Sequence, residues 1–309
     1  MIAFEKCVLV TRKTRLEELV ERFNSRAQAK FWIERAGGDF RDYEREDDAY
    51  RRALDALRAQ LARQLRVHAA DRAFVPTMLF CEKDLVVTLG QDGLVANTAK
   101  YVGDQPIVAV NPDPERFDGI LLPFRVAAAP RAVASVMAGR ARERRVTLAE
   151  ASLNDGQRLL AFNDFFVGTR SHVSARYRIT AGGRTEPQSS SGVLVSTGAG
   201  STGWLSSCLT MAAGVMAFTG GAAKRPDVKL AWEDDRLAFV VREPFASRTS
   251  QTGIVAGFVA AGGELVIESL MPSGGCIFSD GMEADFLAFN SGAIARLRVA
   301  RQKARLIVE

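Results

Sequence analysis

The chain has 309 residues, 47% of them hydrophobic and 25% charged, with a net charge of +5 at pH 7. That composition fits a soluble globular protein with room for two domains and a substantial core. The positive balance suits anionic ligands such as nucleotides, but no Lys/Arg block and no basic–aromatic alternation marks a nucleic-acid face.

Cys7-Val8-Leu9-Val10 reads as a first strand, with no signal or transit segment before it. Thr14-Arg15-Leu16-Glu17 is a capping box, with Thr14 at the N-cap and Glu17 reaching back. Behind it Leu16, Val20, Phe23, Ala27 and Phe31 fall on one face of a single helix, which Gly37-Gly38 stops. A second helix is expected over residues 43–67, with a seam of Tyr50, Leu54, Leu57, Leu61 and Leu65. Asp47–Arg51 and Asp48–Arg52 read as exposed pairs on it, and His68 closes it, complementing the helix dipole. A buried strand then runs from Asp84 through Leu85-Val86-Val87-Thr88-Leu89 and stops at Gly90, before a short helix over residues 94–101. Ile107-Val108-Ala109-Val110 is a further strand, ending at Asn111-Pro112-Asp113-Pro114. Strands alternating with helices, each strand closed by a polar loop, predict a parallel sheet flanked by helices.

From Val126 the texture changes. One helix over residues 130–140 precedes short β-like runs at 159–167, 173–180, 192–196, 237–241, 265–267 and 286–289, with a Gly182-Gly183 hairpin signal among them. A β-rich second domain is expected, dividing the chain near Phe124 into 1–124 and 125–309. The closing Leu306-Ile307-Val308 could return to pair with the first domain.

Chemistry is expected at four places. Asp92 lies in Gly90-Gln91-Asp92-Gly93, at the carboxyl end of a strand and just before a helix. Open α/β sheets bind ligands at that end, and free N–H groups of a glycine-rich turn hold phosphate oxygens. Asp92 could accept the proton of a hydroxyl nucleophile there, although an Asp-Gly turn with Asp as a cap is the simpler alternative. Asn163-Asp164 interrupts an apolar strand, where two polar groups need partners from a ligand or the local backbone. Ser196-Thr197-Gly198-Ala199-Gly200-Ser201-Thr202-Gly203 contains a literal G-x-G-x-x-G, yet residues 222–227 are polar and contain Pro226 where a strand should end in an acidic ribose partner. With Trp204-Leu205 following, it is no Walker A loop either, and a Ser/Thr/Gly-rich turn able to offer hydroxyls and N–H groups remains. Asp280-Gly281 is a further strand-end acid, more often a turn than a site. Cys7, Cys81, Cys208 and Cys276 are far apart and the only histidines are His68 and His172, so neither zinc nor disulfides are expected and a cytoplasmic setting is. No apolar run reaches membrane-spanning length.

Taken in order, Gly90-Gln91-Asp92-Gly93, Asn163-Asp164, residues 196–204 and Asp280-Gly281 resemble the NAD kinase family, its mitochondrial-type members above all. The resemblance extends through Asn111-Pro112-Asp113-Pro114-Glu115-Arg116, Phe166-Val167-Gly168, Ser174-Ala175-Arg176-Tyr177, Arg242-Glu243-Pro244 and Phe289-Asn290-Ser291-Gly292. It implies an N-terminal Rossmann-like α/β domain, a C-terminal β-sandwich domain, an active site between them and a homodimer. It also implies an NAD(H) kinase that moves a phosphoryl group from ATP with Mg²⁺, or from polyphosphate, to the 2′-hydroxyl of the adenosine ribose. In that resemblance Asp92 is the general base, and Gly90, Gln91 and Gly93 shape its loop. Asn163 and Asp164 hold the adenosine, Thr202, Gly203 and Ser207 line the adenine pocket, and Trp204 stacks on the dinucleotide. The family's loop is normally Gly-Gly-Asp-Gly-Thr, whereas Gln91 and Leu94 stand here, and Asp164 stands where Glu is usual. A kinase for another nucleotide or sugar, or a non-catalytic dinucleotide-binding homologue, are the alternatives.

Overall fold

A computed structural model describes residues 3–221 and 228–309. The polar segment 222–227, which argued against a Rossmann ribose partner, lies outside the described residues. The chain divides into two compact units, residues 1–144 with 305–309, and residues 145–304. The first therefore extends past the change of texture at Phe124 and takes in the chain's last residues.

The first unit contains β1 (Lys6–Thr11), α1 (Arg15–Phe23), α2 (Arg26–Arg35), α3 (Phe40–Leu61), β2 (Arg66–Asp71), β3 (Asp84–Leu89), α4 (Asp92–Ala99), β4 (Pro106–Asn111), β5 (Phe124–Arg125) and α5 (Ala129–Met137). Its strands run parallel in the order β2-β1-β3-β4, continued by β5 beside β4. Leu306 also pairs with Ile107 of β4, in parallel. β3 and β4 are buried along their whole length, which is why they read as unbroken apolar runs. Leu57 and Leu61 of α3 are fully buried on this sheet with Val133 of α5. Each such side chain contributes about 1.5–3 kcal/mol of hydrophobic stabilisation.

Several expectations are corrected here. The capping box is present, with Glu17 N–H bonded to Thr14 and Thr14 N–H bonded to Glu17. The helix behind it, however, breaks into α1 and α2. Asn24 takes a left-handed conformation (φ 61°) and Ser25 caps the next helix through Gln28 N–H, both favourable local choices that override the apolar period. Phe31 consequently stays 56% exposed. The following helix ends at Leu61, and Arg66–Asp71 is a strand, so His68 pairs with Val8 in a sheet and closes no helix. Asp47 is buried, bonded to Thr14 Oγ1 at 2.6 Å as well as to Arg51.

The second unit holds most of β6 (Arg142–Leu153), then β7 (Arg158–Ala161), β8 (Asp164–Thr169), β9 (Ala175–Ala181), β10 (Arg184–Ser190), β11 (Val193–Ser196), α6 (Trp204–Phe218), β12 (Arg236–Val241), β13 (Ala256–Ala260), β14 (Leu265–Ser269), β15 (Gly275–Ser279), β16 (Met282–Ala288) and most of β17 (Ile294–Val308). One sheet has the order β13-β12-β11-β8-β15-β16, and the other contains β10-β9-β14-β17 with β6 and β7. Phe165, Val167, Val195 and Ile277 from the first meet Tyr177, Ile179, Ile267 and Leu297 from the second in one core, a β-sandwich. The expected 159–167 run is two strands, because the chain bends at Phe162-Asn163; Asn163 sits in that bend and not inside a strand. Gly182 and Gly183 both have positive φ and turn β9 into β10, as their sequence requires.

The glycines of residues 196–203 serve chain packing. A Cβ on Gly198 would lie 1.8 Å from the Ala231 carbonyl oxygen, and one on Gly200 would lie 2.2 Å from that of Asn163. Gly198→Ala is expected to lower stability by about 1–3 kcal/mol through forced backbone displacement. Gly214→Ala, in the middle of α6 with nothing within 4 Å of the new methyl, is expected to raise it by roughly 0.5–1 kcal/mol. Thermal melting of both variants against the parent chain checks the pair, and equal effects would contradict the assignment.

Candidate functional site

In the first unit the strand order reverses between β1 and β3, since β1 is followed on one side by β2 and on the other by β3. The crevice outside the carboxyl ends of those two strands is where an open α/β sheet takes its ligand. Gly90 and Gln91 occupy it. Gly90 has no room for a side chain, because a Cβ there would lie 2.7 Å from Leu94 Cδ2 and 3.6 Å from Arg12 Cδ. Gln91 is the N-cap of α4 but its side chain makes no capping bond; its carbonyl takes Leu94 N–H at 2.9 Å, and no side chain caps the turn. Gly93 is exposed, with open space around it.

Asp92 is the first residue of α4, and the N-cap role suggested by its sequence belongs to Gln91. Its Oδ1 accepts a hydrogen bond from Leu121 N at 2.7 Å. Among the described residues Oδ2 has no hydrogen bond, so one oxygen anchors the carboxylate and the other is left for chemistry. The loop that brings Leu121 there is built by Asn111. Its side chain accepts from Asp113 N (3.0 Å) and donates to Phe117 O (2.9 Å), folding the Asn-Pro-Asp-Pro segment back. Asn111 is buried, and a buried strand-end Asn before two prolines is the signal that could have exposed this support.

The same edge carries a chain of ion pairs. Arg12 bonds Glu46, Glu46 also takes Arg15, Arg15 bonds Asp42, and Arg116 grips Asp42 through both terminal nitrogens at 3.0 and 2.8 Å. The guanidinium groups of Arg116 and Arg15 hold the Asp42 carboxyl far below the usual carboxylate range. None of these residues was singled out for chemistry in the sequence.

In the second unit Asn163 and Asp164 are brought together by Asp280. Its carboxylate accepts from the backbone N–H groups of Phe162 (2.9 Å), Asn163 (2.6 Å) and Asp164 (3.3 Å). Asp280 itself has φ 55°, so its turn is strained to face that bend. The Asn163 carbonyl accepts from Thr197 N and Oγ1, tying the bend to the Ser/Thr/Gly-rich segment. The backbone is thus used up, while neither the Asn163 nor the Asp164 side chain has a hydrogen-bond partner among the described residues. Burial, with the nearby Asp280 carboxylate adding to it, pushes the Asp164 carboxyl up to about 7.

Most hydroxyls of residues 196–203 are engaged internally: Ser196 on Thr197 O, Thr197 on Phe162 O and Ser201 on Gly198 O. Thr202, Gly203 and Ser207 are exposed, with Ser207 Oγ directed at Gly203 O at 3.4 Å. Trp204 stacks on Phe166 at 5.9 Å and 12°, Phe166 stacks on Phe278, and the Arg242 guanidinium lies 5.3 Å over the Trp204 ring. These rings border a cavity of about 520 Å³ that Arg170 and Ser191 also line. Of the residues expected from the sequence only Trp204 lines it; Asn163, Asp164, Thr202, Gly203 and Ser207 do not. Phe278 and Arg170 were missed there, although outward alternation of Phe278 with buried Ile277 on β15 carries the signal.

Among the described residues no three His, Cys, Asp or Glu side chains gather as metal ligands, and no helix is long and apolar enough to cross a membrane.

No family model matches the sequence, and no curated protein matches it. Solved structures do. Yeast NADH kinase, solved in complex with NADH, matches at a TM-score of 0.58 and 17% identity over 99% of this chain and 84% of that one. An NAD kinase from Archaeoglobus fulgidus, in complex with ATP, matches at a TM-score of 0.53 and 15% identity over 97% of this chain and 93% of that one. At such identities the likeness is one of fold, and the α/β unit and β-sandwich described above are the fold these two kinases share with this chain.

Proposed function

We propose that the chain is a phosphotransferase that moves a phosphoryl group from ATP, or from polyphosphate, to the 2′-hydroxyl of the adenosine ribose of NAD(H). The observation that carries this is Asp92, held by one oxygen on Leu121 N–H at the reversal point of a parallel sheet with its second oxygen unengaged. A hydroxyl nucleophile needs a proton acceptor within reach, and phosphoryl transfer otherwise rests on positioning and charge. Oδ2 of Asp92 takes the hydroxyl proton as the ribose oxygen bonds to the γ-phosphorus. The bond from that phosphorus to its bridging oxygen breaks, and ADP, or a shortened polyphosphate, leaves.

The second unit carries groups suited to a dinucleotide. The Asn163 amide and Asp164 carboxylate, which have no hydrogen-bond partner among the described residues, stand on an anchored bend and are suited to the hydroxyls and polar edge of adenosine. Trp204, flanked by Phe166 and Arg242, offers a face for stacking. Mg²⁺ would arrive with the triphosphate, and Asp92 is the loop carboxylate that would help hold it and neutralise phosphate charge. A kinase acting on another nucleotide or sugar is the second reading, favoured by Gln91, Leu94 and the short Asp164.

Incubation with Mg²⁺, ATP or polyphosphate, and NAD or NADH is expected to yield NADP(H). Product from a different hydroxylated acceptor alone supports the second reading, and dinucleotide binding without any product supports a binding protein. Asp92→Asn keeps an oxygen for Leu121 N–H, so the fold should persist while turnover falls by about two to four orders of magnitude. If activity loss instead tracks a lowered melting temperature, Asp92 is structural.

The raised carboxyl of Asp164 gives a pH signature. The folded chain holds this proton up to about pH 7, whereas the unfolded chain releases it near the ordinary Asp value of 3.8. The stabilising contribution is therefore full below pH 3.8 and is lost as pH rises through about 7. Asp164→Asn should melt higher than the parent at pH 8, with the gap closing towards pH 4. The apparent KM for the dinucleotide should rise below pH 7 in the parent as the carboxylate protonates. A parent KM that is flat from pH 5.5 to 8.5 would separate Asp164 from the acceptor.

A further inference from the structure

We propose that Arg12 is a phosphate-binding residue of the donor site, lying beside the Asp92 loop. The proposal rests on the phosphotransferase reading above. Arg12 and Gly90 each stand two residues beyond Val10 and Thr88, the last paired residues of adjacent β1 and β3. Both therefore emerge at the point where the strand order reverses. The two are near neighbours: a Cβ built on Gly90 would lie 3.6 Å from Arg12 Cδ.

The guanidinium is only partly satisfied. One terminal nitrogen bonds Lys13 O and the other bonds Glu46 Oε1, each at 3.0 Å. Nε, one bond from Cδ, is buried without a hydrogen-bond partner among the described residues. The Arg12 side chain is only 9% exposed, so water does not replace the missing acceptor across an open face. Such an unfilled donor on a cation calls for an anionic acceptor. Glu46 does not belong to Arg12 alone, because it is shared with Arg15. Arg15 is in turn held by Asp42.

The neighbouring turn lacks what Arg12 supplies. Leu94 is buried against Gly90 and brings no hydroxyl to the first turn of α4, while Gln91 makes no capping bond. The N-terminal turn of α4, which no side chain caps, and the Nε–H of Arg12 thus flank Gly90 from two elements of the same unit, a pairing suited to the oxygens of a linear phosphate chain. When a phosphate oxygen takes the Nε edge, Glu46 retains Arg15.

Equilibrium binding to the full chain tests this without relying on turnover, using inorganic tripolyphosphate with Mg²⁺, a non-hydrolysable ATP analogue, and NAD as probes. Arg12→Lys keeps the charge but removes Nε. It is expected to weaken tripolyphosphate and the analogue at least tenfold, with NAD affinity within about twofold and melting little changed. Glu46→Gln, which frees the guanidinium, is expected to strengthen tripolyphosphate binding and covers the case in which Arg12→Lys does not fold. Unchanged tripolyphosphate affinity in either folded variant, equal weakening of NAD, or no tripolyphosphate binding by the parent overturns the proposal. NADP(H) formation with tripolyphosphate binding insensitive to Arg12 would sink this inference alone. Arg12-dependent binding in a chain that makes no NADP(H) would instead sink the kinase reading and leave the anion site standing.

Discussion

The Tyr50 hydroxyl holds the carboxyl ends of β1 and β3 together. It accepts from Arg12 N–H at 3.0 Å and donates to the Leu89 carbonyl at 3.1 Å. Both groups lie beyond Val10 and Thr88, the last residues that β1 and β3 pair, at the edge where the two strands would otherwise part. Burial pushes the Tyr50 phenol up to about 12, so it remains a donor throughout the physiological range. The residue after Leu89 is Gly90, so the start of the Asp92 loop is set by this bridge. Asn111 and Leu121 then fix the loop's other side through Asp92 Oδ1. The candidate base is thus positioned by buried donors and acceptors, each already paired, which limits its freedom without consuming its second oxygen.

Much of the first unit was legible because its signals are local and uniform. β3 and β4 are apolar from end to end, and Gly90-Gln91-Asp92-Gly93 sits between a buried strand and a helix as its residues imply. The α1–α2 break was not legible from periodicity, since Leu16, Val20 and Phe23 keep the helical phase up to Asn24. The break lies in the Asn24-Ser25 pair, whose local hydrogen bonding outweighs one apolar contact. His68 was misplaced for a related reason: the end of α3 carries no glycine or proline stop, and only strand pairing with Val8 decides residues 66–71. Such long-range pairing leaves no mark in a short window.

In the second unit the order of motifs was visible but their division of labour was not. The glycines that imitate a dinucleotide fingerprint are demanded by the carbonyls of Ala231 and Asn163. Asp280, an unremarkable turn residue in sequence, organises the Asn163-Asp164 bend from more than a hundred positions away, and its carboxylate adds to the burial that raises the Asp164 carboxyl. The stacked Phe166, Trp204 and Phe278 come from two strands and a helix, so their convergence follows from sheet order alone. Local chemistry could name most residues; it could not say which were scaffold.

Whether Asp92 acts as a base or as a nucleophile is decided by the stereochemistry at phosphorus. Transfer from ATP carrying a γ-thiophosphate made chiral with oxygen isotopes, followed by analysis of the thiophosphorylated dinucleotide, reads it directly. A base-assisted single displacement inverts the configuration, and inversion is the result expected for Asp92 Oδ2 accepting the ribose proton. Retention would require a phosphorylated intermediate on the protein and would contradict that role.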